Sequence, residues 1–166
     1  MAEKHGFDSA AFRAELRREM YPGPQPYRIL VTGSRDWEDE NRIAGALLLV
    51  ASRVAATRSI TIVHGDCLTG ADAIAHRVAL HYEWCPEPHP ADWPQHGKAA
   101  GPIRNAEMVA LGADVCLAFF REGAANKGTS NCVALAEKAG ILVLRIEDAP
   151  KPDRDTPAIT ADMPHP

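Results

Sequence analysis

Glycine, arginine, aspartate and hydroxyl residues gather at four places in the chain. They are TGSRDW (Thr32–Trp37), HGDCLTGAD (His64–Asp72), GPIRNAEM (Gly101–Met108) and FFREGAANKGTSN (Phe119–Asn131). The types and spacing suit the capture of a phosphorylated small molecule. Gly33 and Gly65 follow apolar runs, where a side chain would block a ligand or strain a turn, and Gly70 lets the backbone bend into a following helix. Gly128, Thr129, Ser130 and Asn131 would open a helix. Its first N–H groups, helped by the helix dipole and the hydroxyls, make an anion site. Arg35 and Arg104 offer bidentate contacts to a phosphate or carboxylate. Asp36 and Asp72 can accept from ribose hydroxyls or a base amine, and Trp37 can stack on a base. Ser34, Asp66 and Asn105 stand beside them as further polar candidates. The ligand this set describes is a nucleotide or a nucleotide-derived molecule.

Each residue also has a plain structural reading. Glycine after a strand is common in any α/β fold, GTSN can be only a helix start, and Asp72 can be only the cap of its own helix. The four loops gain weight from being expected on one edge of the same sheet. Other chemistries fit less well. GxGxxG after the first apolar run is absent, because GSRDWE has a single glycine, and there is no GxxxxGK[ST]. Hydride transfer on a dinucleotide and P-loop ATP hydrolysis are therefore disfavoured. His81, Cys85 and His89 recur every four residues with His96 beyond, a spacing open to zinc. Pro86, Pro88 and Pro90 break the helix that such spacing would need, so no metal and no cofactor is expected. His64 reads as a structural histidine bonded to neighbouring backbone in preference to a general base.

The elements that must position these loops alternate. YRILVTG, SITIVHG, ADVCLAFF and ILVLRI are short apolar runs, and CPEPHPADWPQHG holds a brief further strand. Between them lie helical patterns: Ile43, Leu47, Val50 and Val54 in DENRIAGALLLVASRVAA, and Ile74, Val78 and Tyr82 in GADAIAHRVALHYEW. A third helix starts at Pro102, where the missing N–H costs little, and a fourth ends at Gly140. Continuous apolar strands are those covered on both faces. Strand–helix alternation implies a mainly parallel sheet with right-handed crossovers. The expected fold is a Rossmann-like three-layer α/β/α sandwich of about five strands, in which ligands bind beyond the carboxyl ends of the strands at the switch in strand order.

Residues 1–26 are expected to hold an amphipathic helix around SAAFRAELRREM, capped by Ser9, and a Pro/Gly linker. Residues 27–147 form the folded domain, and the Pro- and Asp-rich residues 148–166 a disordered tail. The 166 residues carry a net charge of −4, and the pI is near 6.0. That balance argues against a broad grip on nucleic acid or an anionic membrane. No apolar run reaches the roughly 18 residues of a spanning helix, and the first residues lack a secretory core. A cytoplasmic protein is expected, with Cys67, Cys85, Cys116 and Cys132 as free thiols.

VTGSRDW, VHGDCLTGADAIA, GPIRNAEMV and KGTSNCVALAEKAG together resemble the YspA-like, YpsA-related branch of the SLOG superfamily over about residues 27–146. The resemblance implies a Rossmann-like fold that binds or senses nucleotides or nucleotide-derived ligands, ADP-ribose-like ones among them. It also implies a homodimer, and an occurrence in bacteria, phages and mobile elements linked to conflict systems. Enzymatic cousins of the LOG, "lysine decarboxylase-like" type hydrolyse the N-glycosidic bond of nucleoside monophosphates. They use an Arg in an R[KN]xxM motif and a Glu in PGGxGTxxE. Arg104, Asn105 and Met108 match the first, which makes Arg104 the catalytic candidate. The second matches at Gly128 and Thr129, but its Glu position falls on Cys132, leaving Asp72 or Glu107 to supply a carboxylate. A third reading, single-strand DNA binding as in the DprA relatives, meets the adverse net charge.

Overall fold

The computed structural model describes residues 23–148. The helix expected around Ser9 and the tail beyond Asp148 lie outside the described residues. Within them, five strands form one all-parallel sheet: β1 (Tyr27–Gly33), β2 (Ile60–His64), β3 (Cys85–Pro88), β4 (Val115–Phe120) and β5 (Leu142–Glu147). Helix α1 (Glu40–Ala51) joins β1 to β2, and α2 (Gly70–His81) joins β2 to β3. From β3 the chain crosses to β4 through a single turn, α3 (Trp93–His96), a 3-10 turn (Gly97–Ala99) and α4 (Ala100–Ala110). Helix α5 (Lys127–Lys138) joins β4 to β5. The sheet order is β3-β2-β1-β4-β5, so the direction of winding reverses between β1 and β4. This is the Rossmann-like α/β sandwich that the alternation predicts.

Side chains alternate across the strands and build two layers. Ile29, Val31, Ile62, Val115, Leu117 and Phe119 face α1 and α2, meeting Ile43, Leu47, Ile74 and Val78. Leu30, Val63 and Cys116 face α4 and α5, meeting Met108, Val109, Cys132 and Ala136. Burying a side chain of Leu or Ile size stabilises by about 1.5–3 kcal/mol, so the larger first layer anchors the domain. The second layer is thinner and includes two thiols. Burial pushes Cys116 up to about 12 and Cys132 up to about 11, which keeps both protonated.

Local signals explain the boundaries. Asp39 caps α1 by accepting from the Arg42 N–H at 2.9 Å. Helix α5 ends in a Schellman motif: Gly140 has φ +76°, its N–H reaches Glu137 O, and the Ile141 N–H reaches Ala136 O, both at 3.0 Å. Strand β3 tolerates Pro86 and Pro88 because it is an edge. The His89 N–H donates to His64 O at 2.9 Å, so by alternation the two prolines fall on the unpaired side. Arg28 reaches beneath β2 to grip both oxygens of Glu87 at 2.6 and 2.8 Å, tying β1 to the edge. Helices α1 and α2 are shorter than their apolar patterns, since residues 52–57 and 82–83 turn back instead of continuing. No helix among the described residues is long and apolar enough to cross a membrane.

Candidate functional site

The loops leaving the carboxyl ends of β1, β2 and β4 surround a cavity of about 430 Å³, with the starts of α4 and α5 closing the rest. It sits at the reversal in strand order, where open α/β sheets bind ligands.

Arg104 is the centre of the cavity wall. It lies on α4 and is only 8% exposed. Its Nη1 donates to Gly65 O and to His89 O, the latter at 3.0 Å, and its Nε donates to Asn105 Oδ1 at 3.0 Å. A buried guanidinium thus braces the ends of β2 and β3 through neutral acceptors. Asn105 extends the brace: its amide donates to Gly128 O at 3.2 Å and to Asn131 Oδ1 at 3.0 Å, fastening α4 to α5. The arginine–asparagine pair that resembles a catalytic motif is also the cross-link of the site.

The glycines divide by what a side chain would meet. A Cβ on Gly65 would collide with the Arg104 guanidinium. On Gly33 it would strike Ala71 and Phe119, so Gly33 lets α2 and β4 close on β1. On Gly70, whose φ is +70°, it would strike the backbone of Ser34 and Arg35. The Ala71 N–H there donates to Ser34 O at 3.1 Å, so α2 docks under the first loop. Gly128 differs, because a Cβ there would enter open space. Gly128 lines the cavity, and the packing does not require its bareness.

Helix α5 opens from Asn126, which is left-handed at φ 42°. The Asn126 amide donates to Arg121 O at 2.7 Å and to Ala124 O at 3.1 Å, folding the loop that precedes the helix. The Ser130 N–H is already bonded to Asn126 O at 2.9 Å. Lys127, Gly128 and Thr129 of the first turn line the cavity.

Asp72 contributes a carboxylate. It is 6% exposed, lines the cavity, and accepts from the Cys67 N–H at 3.4 Å. Burial raises its pKa above the ordinary aspartate value, against the opposing pull of Cys67 and Arg104. Cys67 shares the wall, and burial beside Asp72 raises its thiol as well. Glu107 is exposed on α4 and outside the lining. Cys132, at the position of the enzymes' Glu, has 0% exposure within the second layer. Four cationic residues, Arg35, Lys98, Arg104 and Lys127, line the cavity against two acidic ones, Asp36 and Asp72. The local balance is positive although the whole chain is negative.

Of the residues expected from sequence, the cavity brings together Gly33, Ser34, Arg35, Asp36, Gly65, Asp72, Arg104, Asn105, Gly128, Thr129 and Asn131. Four stand apart. Trp37 is a core residue, 2% exposed, packed edge-on against Phe119 at 5.2 Å with its indole N–H donating to Asp39 O, so it offers no face to a base. Asp66 lines an adjoining hollow, at φ 54°. Gly70 lies behind the first loop, and Ser130 is exposed beyond the rim. His64 is buried and structural, as expected: its Nδ1 accepts from the Asp66 N–H at 3.2 Å, and its Nε2 meets His76 Nδ1 at 3.0 Å. Burial and His76 hold its pKa down at about 4. Sequence reasoning missed Trp93, Lys98, Lys127, Asn126 and Cys67. Trp93 stands in the proline-rich piece read as irregular, where a tryptophan directly after Asp92, a cap-type residue, was the available signal.

Fold and cavity define a Rossmann-like α/β domain with a cavity of small-molecule size at the strand reversal. The model of the YspA, cpYpsA-related SLOG family matches residues 27–96. The Gene 61 protein of Mycobacterium phage D29 is 44% identical over 128 residues, covering 74% of this chain and 98% of that protein. The chain belongs to the YspA, cpYpsA-related SLOG family. No solved structure matches it.

Proposed function

We propose that the cavity binds a nucleotide or nucleotide-derived small molecule. The observation that carries this reading is Arg104, a buried cation held by carbonyl and amide oxygens in a wall that also presents Arg35, Lys98, Lys127 and the first turn of α5. A negatively charged group fits that surface. Asp72 and Asp36 supply acceptors for sugar hydroxyls or a base amine. A cavity of about 430 Å³ lies within the ordinary range for small-molecule sites. The family supports the same coarse reading. The fold is read as a homodimer working in the cytoplasm, which sedimentation of the purified protein tests for the dimer. Isothermal titration with nucleoside mono-, di- and triphosphates, NAD, ADP-ribose and cyclic ADP-ribose tests the ligand. Binding of at least one is expected, and failure of all defeats the proposal.

Asp72 favours one further reading, a nucleoside-monophosphate N-glycosidase. The carboxylate missing at Cys132 is present on α2, beside Arg104 and facing the same cavity. Chromatography of the protein incubated with nucleoside monophosphates should then show free base. The Asp72→Asn variant should release none. If the wild type releases no base, the cavity binds without cutting.

A further inference from the structure

Trp93 is the largest exposed apolar side chain on the cavity lip, 48% exposed on the single turn α3. One edge of the ring lies toward α4, where a Cβ on Gly101 would sit 3.5 Å from it, an ordinary contact. The Arg35 guanidinium rests over the ring, 5.8 Å from its centroid. Arg35 and Trp93 both line the main cavity and a second hollow of about 440 Å³ that continues past Gly65 and Cys67. The pair therefore stands where the two spaces join.

The geometry points to Trp93 as the platform on which the base of the ligand stacks, with Arg35 covering the base from the far side. This deepens the nucleotide reading and rests on it. An indole face with a guanidinium above it accepts a planar, electron-rich ring by stacking and cation–π attraction. Both flanks are exposed side chains outside the sheet, Arg35 on the turn after β1 and Trp93 at the start of the single turn α3, so they can part to admit a ring without disturbing the sheet. The cations and the α5 start then receive the phosphate, and Asp72 lies on the floor below. Stacking scales with ring area, so purine nucleotides should bind more tightly than pyrimidine nucleotides. The residue that sequence suggests for this role, Trp37, is sealed in the core.

The test is isothermal titration of wild type, Trp93→Ala and Trp93→Phe with the four nucleoside 5′-monophosphates and with ribose 5-phosphate, which lacks the base. Trp93→Ala should weaken the tightest mononucleotide on the order of tenfold, the scale of one base–aromatic stack. It should leave ribose 5-phosphate unchanged, and Trp93→Phe should recover most of the loss. Quenching of tryptophan fluorescence by the mononucleotide should vanish in Trp93→Ala, because Trp37 is buried and Trp84, stacked on Tyr82, lies outside the cavity lining. If the wild type binds mononucleotide and Trp93→Ala binds it equally well, the platform is overturned while the nucleotide reading stands. Equal weakening of mononucleotide and ribose 5-phosphate also overturns it, since the effect then does not pass through the base. If the wild type binds none of these probes, the platform for a mononucleotide base is overturned, and the nucleotide reading falls with it only when nucleoside di- and triphosphates, NAD and the ADP-riboses fail to bind as well.

Discussion

Replacing Gly65 by alanine adds one carbon at the most crowded point of the site. That carbon would overlap Nη1 and Cζ of Arg104 and lie 2.7 Å from Nη2. The backbone at Gly65 is outside the left-handed region, so alanine meets no conformational barrier of its own. The whole cost arises from displacing the guanidinium. Arg104 would give up its bonds to Gly65 O and His89 O, each worth about 1.5–3 kcal/mol for a charged donor. Partial relaxation and overpacking set the expected loss at about 3–5 kcal/mol. Urea unfolding should show the midpoint fall with little change in slope. The decisive comparison is a double-mutant cycle. In an Arg104→Ala background the added methyl has room, and Gly65→Ala should cost less than about 1 kcal/mol. Equal costs of Gly65→Ala in the two backgrounds would refute the claim that Gly65 exists to seat Arg104.

Gly128→Ala should behave in the opposite way: its Cβ meets open space, so the melting temperature should hold while nucleotide binding weakens about tenfold, as titration would show. Asp72→Asn removes a buried charge and should raise stability at neutral pH by about 1 kcal/mol, seen as a higher melting temperature, while weakening ligand binding. For pH, His64 titrates near 4 in the fold and near 6.5 when unfolded. The unfolded chain therefore binds the extra proton, and stability falls as pH drops from about 6.5 to about 4, by up to about 3 kcal/mol. Glu87 continues the loss below 4.5, because Arg28 and His89 depress its pKa in the fold. Asp72, whose pKa is raised, slopes the other way above 3.8, so melting curves of His64→Gln against wild type isolate the His64 limb, which should flatten between those pH values.

The strands and their parallel sense, both helical layers and most of the cavity wall were legible because they rest on local signals. Apolar runs ending in Gly33 and Gly65, the helical periodicity of Ile43 and Leu47, and the Gly140 stop each act over a few residues. The cavity sits at a reversal in strand order, as an open α/β sheet leads one to expect, but that the reversal falls between β1 and β4 is set by strand pairing and was not legible. What escaped the sequence was long-range. Trp37 stands in the loop after β1 and Trp93 begins the single turn α3. Only the packing of Phe119, brought in by β4, sends the first into the core and leaves the second on the lip. The proline-rich segment that carries Trp93 has no period to read. Asn105 and Asn126 looked like polar candidates or loop filler, yet their amides hold helices and turns through bonds to residues up to 26 positions away. Gly128 and Gly70 are indistinguishable as letters. The structure alone shows that one faces space and the other the backbone of Ser34.

The central claim is that this cavity holds a phosphorylated nucleotide-type ligand against Arg104 and the start of α5. The most direct test is a thermal-shift screen of wild type and Gly128→Val against nucleoside phosphates, NAD and ADP-ribose. A ligand at a hundredfold excess over its dissociation constant stabilises the native state by about 2.7 kcal/mol, a shift of several degrees. The account predicts such a shift for wild type with at least one nucleotide, and its loss in Gly128→Val at an unchanged melting temperature without ligand. No shift with any compound, or an equal shift in both proteins, would contradict it.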